Sequence, residues 1–195
     1  FCVHTQPDET PCRRFILQRI SPVAFKKPDE LMENIIGVTD YLGRQIEQAG
    51  GDRGREAIQV LRPRSGEAYF TDGDGCAWRV YPFVVCHQSA ETPELFAASG
   101  RAFGQFQRLL RDYPAETLHE TIPRFHDTED RLAKLKAAVE SDPLGRAASC
   151  QPEIQFMLDR EADCSVALYA LREGKLPLRV THNDTKLNNV LMDDK

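Results

Sequence analysis

Apolar and polar residues along the chain change their rhythm twice. Over roughly the first 85 residues the apolar positions come in short runs broken by turn residues, which predicts strands. Residues 1–5 read as the end of a strand, 6–11 as a turn with two prolines, and 13–20 as a second strand with aromatic and β-branched content. Pro28, Asp29 and Glu30 open a helix whose apolar positions Leu31, Ile35, Val38 and Leu42 recur at helical spacing and which Gly50 and Gly51 end. A short strand is expected at 57–61, and strands at 68–70 and 76–85 flank the hairpin turn Thr71-Asp72-Gly73-Asp74-Gly75. The Asp-Gly-Asp-Gly run lacks the later ligands of a calcium loop, so turn chemistry accounts for it.

From about Pro93 the rhythm becomes helical. Leu95, Phe96, Ala102, Phe103, Phe106 and Leu110 form an apolar stripe, 125–139 contains a second helix, and 153–172 reads as a third that Gly174 stops. The chain closes on two apolar runs, 178–180 and 190–192, expected as short strands on either side of a polar loop. Strands first and helices afterwards argue for an α+β fold. The change of rhythm between Val85 and Ser89 suggests two lobes, 1–85 and 86–195.

Composition narrows the class. The apolar fraction of 41% and charged fraction of 28% are ordinary for a globular protein, and a net charge of −5 suggests neither a nucleic-acid nor an anionic-membrane partner. No apolar run approaches the roughly 20 residues needed to span a bilayer. Cys2, Cys12, Cys76, Cys86, Cys150 and Cys164 show neither C-x-x-C pairing nor zinc-finger spacing and read as reduced thiols of a cytoplasmic protein.

The closing loop carries the chemistry. Thr181-His182-Asn183-Asp184-Thr185-Lys186-Leu187-Asn188-Asn189 has the form H-x-D-x-x-x-x-N. Phosphoryl transfer needs a carboxylate that takes the proton of an attacking hydroxyl, which is the role for Asp184. It also needs hard oxygen ligands for magnesium, the role for Asn189. Lys186 could reach the transferring phosphate as a point charge, while His182 would pack within the loop.

His-Asn-Asp-Thr-Lys-Leu-Asn-Asn-Val-Leu resembles the catalytic loop of the aminoglycoside phosphotransferase and choline kinase superfamily, and within it that of the N-acetylhexosamine 1-kinase group. Trp78-Arg79-Val80-Tyr81-Pro82-Phe83-Val84 and the segment His119-Glu120-Thr121-Ile122-Pro123-Arg124-Phe125-His126-Asp127-Thr128 agree with it. The resemblance implies a two-lobed kinase-like fold, ATP with magnesium, and a small hydroxyl-bearing acceptor. For the nearest group that acceptor is the anomeric hydroxyl of an N-acetylhexosamine; aminoglycosides, choline and homoserine are alternatives, as is a non-catalytic binding module. It also implies a chain truncated at both ends, lacking a glycine-rich loop before it and a second magnesium-binding Asp after Lys195.

The remaining site candidates follow from that frame. The nucleotide phosphates need a cation on the second strand, where Gln18 or Arg19 stands instead of Lys. Arg19 keeps the charge, with Glu33 or Glu30 on the next helix as its partner. Pro82 has no N–H to give adenine, so Phe83 or Val84 are the backbone candidates. His119, Arg124, Phe125 and His126 mix charge, hydrogen-bonding groups and an aromatic face, a composition suited to a neutral sugar. Asp127 or Thr128 serves instead as the cap of the following helix.

Overall fold

The structure is a computed structural model that describes residues 1–4, 13–85 and 92–192. The turn expected at 6–11, Cys12, Cys86 and Asp193-Asp194 lie outside the described residues, and so does the stretch 86–89 where the lobe boundary was expected.

The chain divides into two compact units, 1–121 with 179–195, and 122–178. The first holds β1 (Cys2–His4), β2 (Arg14–Arg19), α1 (Pro28–Gln48), α2 (Arg53–Glu56), β3 (Phe70–Thr71), β4 (Ala77–Pro82) and α3 (Pro93–Leu109). The four strands form one antiparallel sheet in the order β1-β2-β4-β3. Opposed pairs such as Ile16 with Tyr81 and Gln18 with Arg79 set the β2–β4 register.

Local chemistry explains the helix boundaries. Pro28 sits in the first turn of α1, where its missing N–H costs nothing, and Asp29 and Glu30 complement the positive helix end. Gly50 closes the helix at φ +80°. Thr92 caps α3 by accepting from the Leu95 N–H at 3.3 Å, again with Pro in the first turn. In the hairpin, Asp72 accepts from the Cys76 and Asp74 N–H groups at 2.8 and 3.0 Å and from the Trp78 indole at 2.7 Å. Both oxygens of Asp72 are thus spent on the turn itself. Those donors hold its carboxyl below the ordinary carboxylate range, the indole bond first among them.

The core of this unit is Leu42 and Ile46 of α1, Leu110, Ala115 and Val180, with Phe106, Leu109, Tyr113 and Leu118 packed against it. Tyr113 lies so close over α1 that a Cβ on Gly37 would stand 2.7 Å from its hydroxyl oxygen, so any larger residue there must move the end of the tyrosine side chain.

The second unit contains α4 (Thr128–Ser141), α5 (Gln151–Leu158) and α6 (Val166–Arg172), with 3₁₀ turns at Ala147–Cys150 and Glu161–Ser165.

Three expectations need correction. The helix expected at 153–172 is broken into α5, a 3₁₀ turn and α6. Between Leu158 and Ser165 the sequence is Asp159-Arg160-Glu161-Ala162-Asp163-Cys164, which offers no apolar stripe to hold a continuous helix on a core. The strand expected at 57–61 reduces to a single bridge, Leu61 with Val80, preceded by α2, which Asp52 caps. The strands expected beside the polar loop are absent from 178–180, and Met192 makes only an isolated bridge.

Candidate functional site

The polar loop is tied down at both ends by contacts other than charge. Val180 enters it from the core at 7% exposure. His182 sets its ring edge-on against Phe103 and Phe106 of α3, at centroid distances of 5.3 and 5.8 Å. Asn183 then takes φ +64°, a conformation Asn tolerates better than most residues, and its side chain accepts from the Thr181 hydroxyl. After Asp184 the chain makes a 3₁₀ turn, Leu187–Asn189. Asn189 donates from Nδ2 to the Asp184 carbonyl oxygen at 2.8 Å and so closes the loop. That bond uses the donor end of the carboxamide and leaves Oδ1 with lone pairs to offer a cation.

Asp184 and Lys186 face solvent. Their side chains are 58% and 67% exposed, with Nζ 3.5 Å from Oδ2. A pair this exposed is worth about 1 kcal/mol at most, so it does not hold the loop together. The carboxylate is accessible, flanked by a cation, and anchored through its own backbone.

On the sheet, the nucleotide candidates separate. Gln18 accepts from Arg79 Nε at 2.9 Å across the β2–β4 pair, so the two share a face. Burial pushes the Arg79 guanidinium below its ordinary value, partly offset by Tyr81. Sequence reasoning missed Arg79, because only the strand register shows that it supplies a cation to the face of Gln18. Arg19 opposes Trp78, and its charge acts on Asp72. Among the described residues neither candidate glutamate joins Arg19. Glu33 meets His119 Nε2 at 2.6 Å, and Glu30 meets Lys27 at 2.6 Å.

In the connector after β4, the Phe83 N–H is taken by the Arg14 carbonyl at 3.0 Å, with the Arg14 guanidinium 4.3 Å from the ring centre. The Val85 carbonyl accepts from Arg55 at 3.1 Å.

The acceptor candidates fall in both units. In the first, His119 is gripped by Asn34, which accepts its N–H at 2.9 Å and donates to its carbonyl at 2.8 Å. In the second, Arg124 at φ +56° pairs with Asp127 and Asp130 at 2.9 and 3.0 Å. Phe125 meets His126 edge-on at 4.7 Å, and Arg131 both stacks on its ring and donates twice to its carbonyl. Asp127 caps α4 by accepting from the Asp130 N–H at 2.9 Å.

A small antiparallel sheet with a long helix between its second and third strands, and an Asp–Asn loop packed on the helix that follows the sheet, define an α+β fold of the kinase-like kind. Residues 8–195 match the model of the phosphotransferase enzyme family, APH, and the chain belongs to that family. Membership implies a kinase-type phosphotransferase that uses ATP and a small acceptor. Among the described residues no helix is long and apolar enough to cross a membrane.

Proposed function

We propose that this chain carries the catalytic loop of an ATP- and magnesium-dependent small-molecule kinase. Its acceptor is the anomeric hydroxyl of an N-acetylhexosamine, and its product the sugar 1-phosphate. The observation that carries the reading is the bond from Asn189 Nδ2 to the Asp184 carbonyl, which keeps the amide oxygen and an exposed carboxylate on one short turn. Asp184 accepts the proton as the acceptor oxygen attacks the terminal phosphorus of ATP, and ADP leaves. Lys186 offsets charge on the transferring group.

The donor set fits magnesium, which takes few protein oxygens and completes its shell with phosphates and water. Asn189 Oδ1 would hold it. When bound, the ion offsets the charge of the phosphates. Gln18 or Arg19, with Glu33, are proposed to steady the nucleotide phosphates, and Phe83 and Val84 to meet adenine. His119, Arg124, Phe125 and His126 are proposed acceptor contacts. The two lobes are taken as 1–85 and 86–195, and the setting as cytoplasmic.

A non-catalytic module is the second reading, favoured by the lack of Lys on β2. The two are separated by Asp184→Asn in the full-length protein, assayed for ADP release with N-acetylglucosamine. Loss of the base should lower turnover by about 10²–10⁴ while nucleotide affinity holds. Near-normal turnover in that variant refutes the assignment, and no ADP release from the wild type favours the module.

A further inference from the structure

The two central strands of the sheet, β2 and β4, hold a cation that has lost part of its water and gained no opposite charge. Arg79 of β4 stands directly across from Gln18 of β2, and its Nε donates to Gln18 Oε1 at 2.9 Å. Among the described residues it makes no other bond, and no carboxylate pairs with it. Burial disfavours its charge, and the group that favours it is the phenol of Tyr81 rather than an acid. Charges withdrawn from water are normally paired, so this guanidinium lacks an anion.

A ligand can reach it. Neither terminal nitrogen of Arg79 is a buried atom without a partner, so both meet the surface. The bond from Arg79 turns the carboxamide oxygen of Gln18 toward the guanidinium, and the Nε2 donors of Gln18 make no bond of their own among the described residues. Side chains alternate along a strand, which puts Arg14 and Ile16 of β2 and Tyr81 of β4 on the same face as this pair. None of these positions is acidic. The opposite face differs. There Arg19 stands across from Trp78, and its charge acts on the Asp72 carboxylate that the Trp78 indole bonds. An anion arriving beside Arg19 meets that carboxylate, whereas one arriving at Arg79 meets none.

A planar guanidinium with both terminal nitrogens unspent, beside an amide N–H₂, matches the paired acceptor oxygens of a phosphate. Members of the family use ATP, and β2 brings no Lys to its phosphates. We propose that Arg79, together with Gln18 Nε2, binds the phosphates of the nucleotide, so that β4 supplies the cation that β2 does not. The proposal rests on the reading that this chain binds ATP, and it places the phosphates on the face of Gln18 rather than that of Arg19.

The test uses the full-length protein and calorimetry with magnesium-ATP, magnesium-ADP and adenosine. Arg79→Met keeps the apolar stem of the side chain and removes the charge. It should bind both nucleotides weaker by about tenfold or more, the worth of a hydrogen bond to a charged group, while adenosine binds as to wild type. Arg79→Lys restores a point charge without the fork and should fall between Arg79→Met and wild type. Equal weakening of adenosine and ATP makes Arg79 a structural residue and overturns the proposal. So does Arg79→Met binding ATP as wild type does; a loss in Arg19→Met then returns the phosphates to the other face, and the ATP reading stands. If inorganic phosphate or N-acetylglucosamine 1-phosphate depends on Arg79 and ATP does not, the site serves another phosphate and the nucleotide assignment is overturned. A wild type that binds neither ATP nor adenosine removes the proposal together with the ATP reading.

Discussion

Asn34 bridges 85 residues of sequence with one side chain, and replacing it tests how α1 is held. Its carboxamide accepts the His119 N–H at 2.9 Å and donates to the His119 carbonyl at 2.8 Å. Each such bond contributes about 0.5–1.5 kcal/mol net. Asn34→Ala should therefore cost about 2 kcal/mol. For a chain of 195 residues that corresponds to a fall in melting temperature of about 4–8 °C. The neighbouring Glu33–His119 pair adds little to this sum, because its side chains are 66% and 39% exposed. Asn34→Asp sharpens the test. It keeps the acceptor for the N–H but turns the donor into an acceptor facing a carbonyl oxygen. Only the protonated carboxyl can donate there, so its folded pKa lies above its unfolded value. The bond is then present below the unfolded pKa and is lost as pH rises through the folded one. Urea or thermal unfolding of wild type and both variants at pH 4 and pH 7 measures this. Asn34→Asp should approach wild type at the lower pH and match or fall below Asn34→Ala at the higher. An Asn34→Ala variant within about 0.5 kcal/mol of wild type, or an Asn34→Asp variant whose deficit ignores pH, refutes the reasoning.

Two further outcomes follow from local geometry. Asp127 has its carboxyl held below the ordinary 3.8, first by the Asp130 N–H and then by Arg124. Its contribution is therefore complete above that value and lost as pH falls below it, and the gap in melting temperature between wild type and Asp127→Ala should shrink on acidification. Gly50 stands at φ +80° with open space where a Cβ would go, whereas Gly104 lies inside α3 with equally open space. Gly50→Ala should lower stability by about 1 kcal/mol and Gly104→Ala should raise it by about 0.5–1 kcal/mol, as read from urea midpoints.

The sequence carried those parts of the fold whose causes are local. Pro28 and Pro93 mark helix starts, Gly50 and Gly174 mark ends, and Asp72 marks a hairpin, because each acts on its own few residues. The break between α5 and α6 was hidden by counting apolar positions on either side of a charged gap as one stripe. The pairing of Gln18 with Arg79, and of Glu33 with His119, depends on strand register and on contacts 61 and 86 residues apart. No spacing rule reaches that far. The H-x-D-x-x-x-x-N spacing was legible as a motif, but what anchors the loop was not. The bond from Asn189 to the Asp184 backbone and the seat of His182 on Phe103 and Phe106 are visible only in space.

Those anchors separate stability from chemistry in this loop. Val180 lies in the core with Leu42 and Ile46, and His182 rests on two phenylalanines of α3. Asp184 and Lys186 contribute only an exposed pair at 3.5 Å. Apolar burial is insensitive to salt and to the charge of neighbours, whereas an exposed ion pair is screened within about 10 Å at ordinary ionic strength. Removing the charge of Asp184 or Lys186 thus leaves the scaffold of the loop in place. A loss of turnover in either variant then reports on the roles proposed for these two side chains rather than on unfolding. Substitution of Phe103 has the opposite character. It removes the surface on which His182 sits and displaces the carboxylate without touching it, so affinity, turnover and stability should fall together.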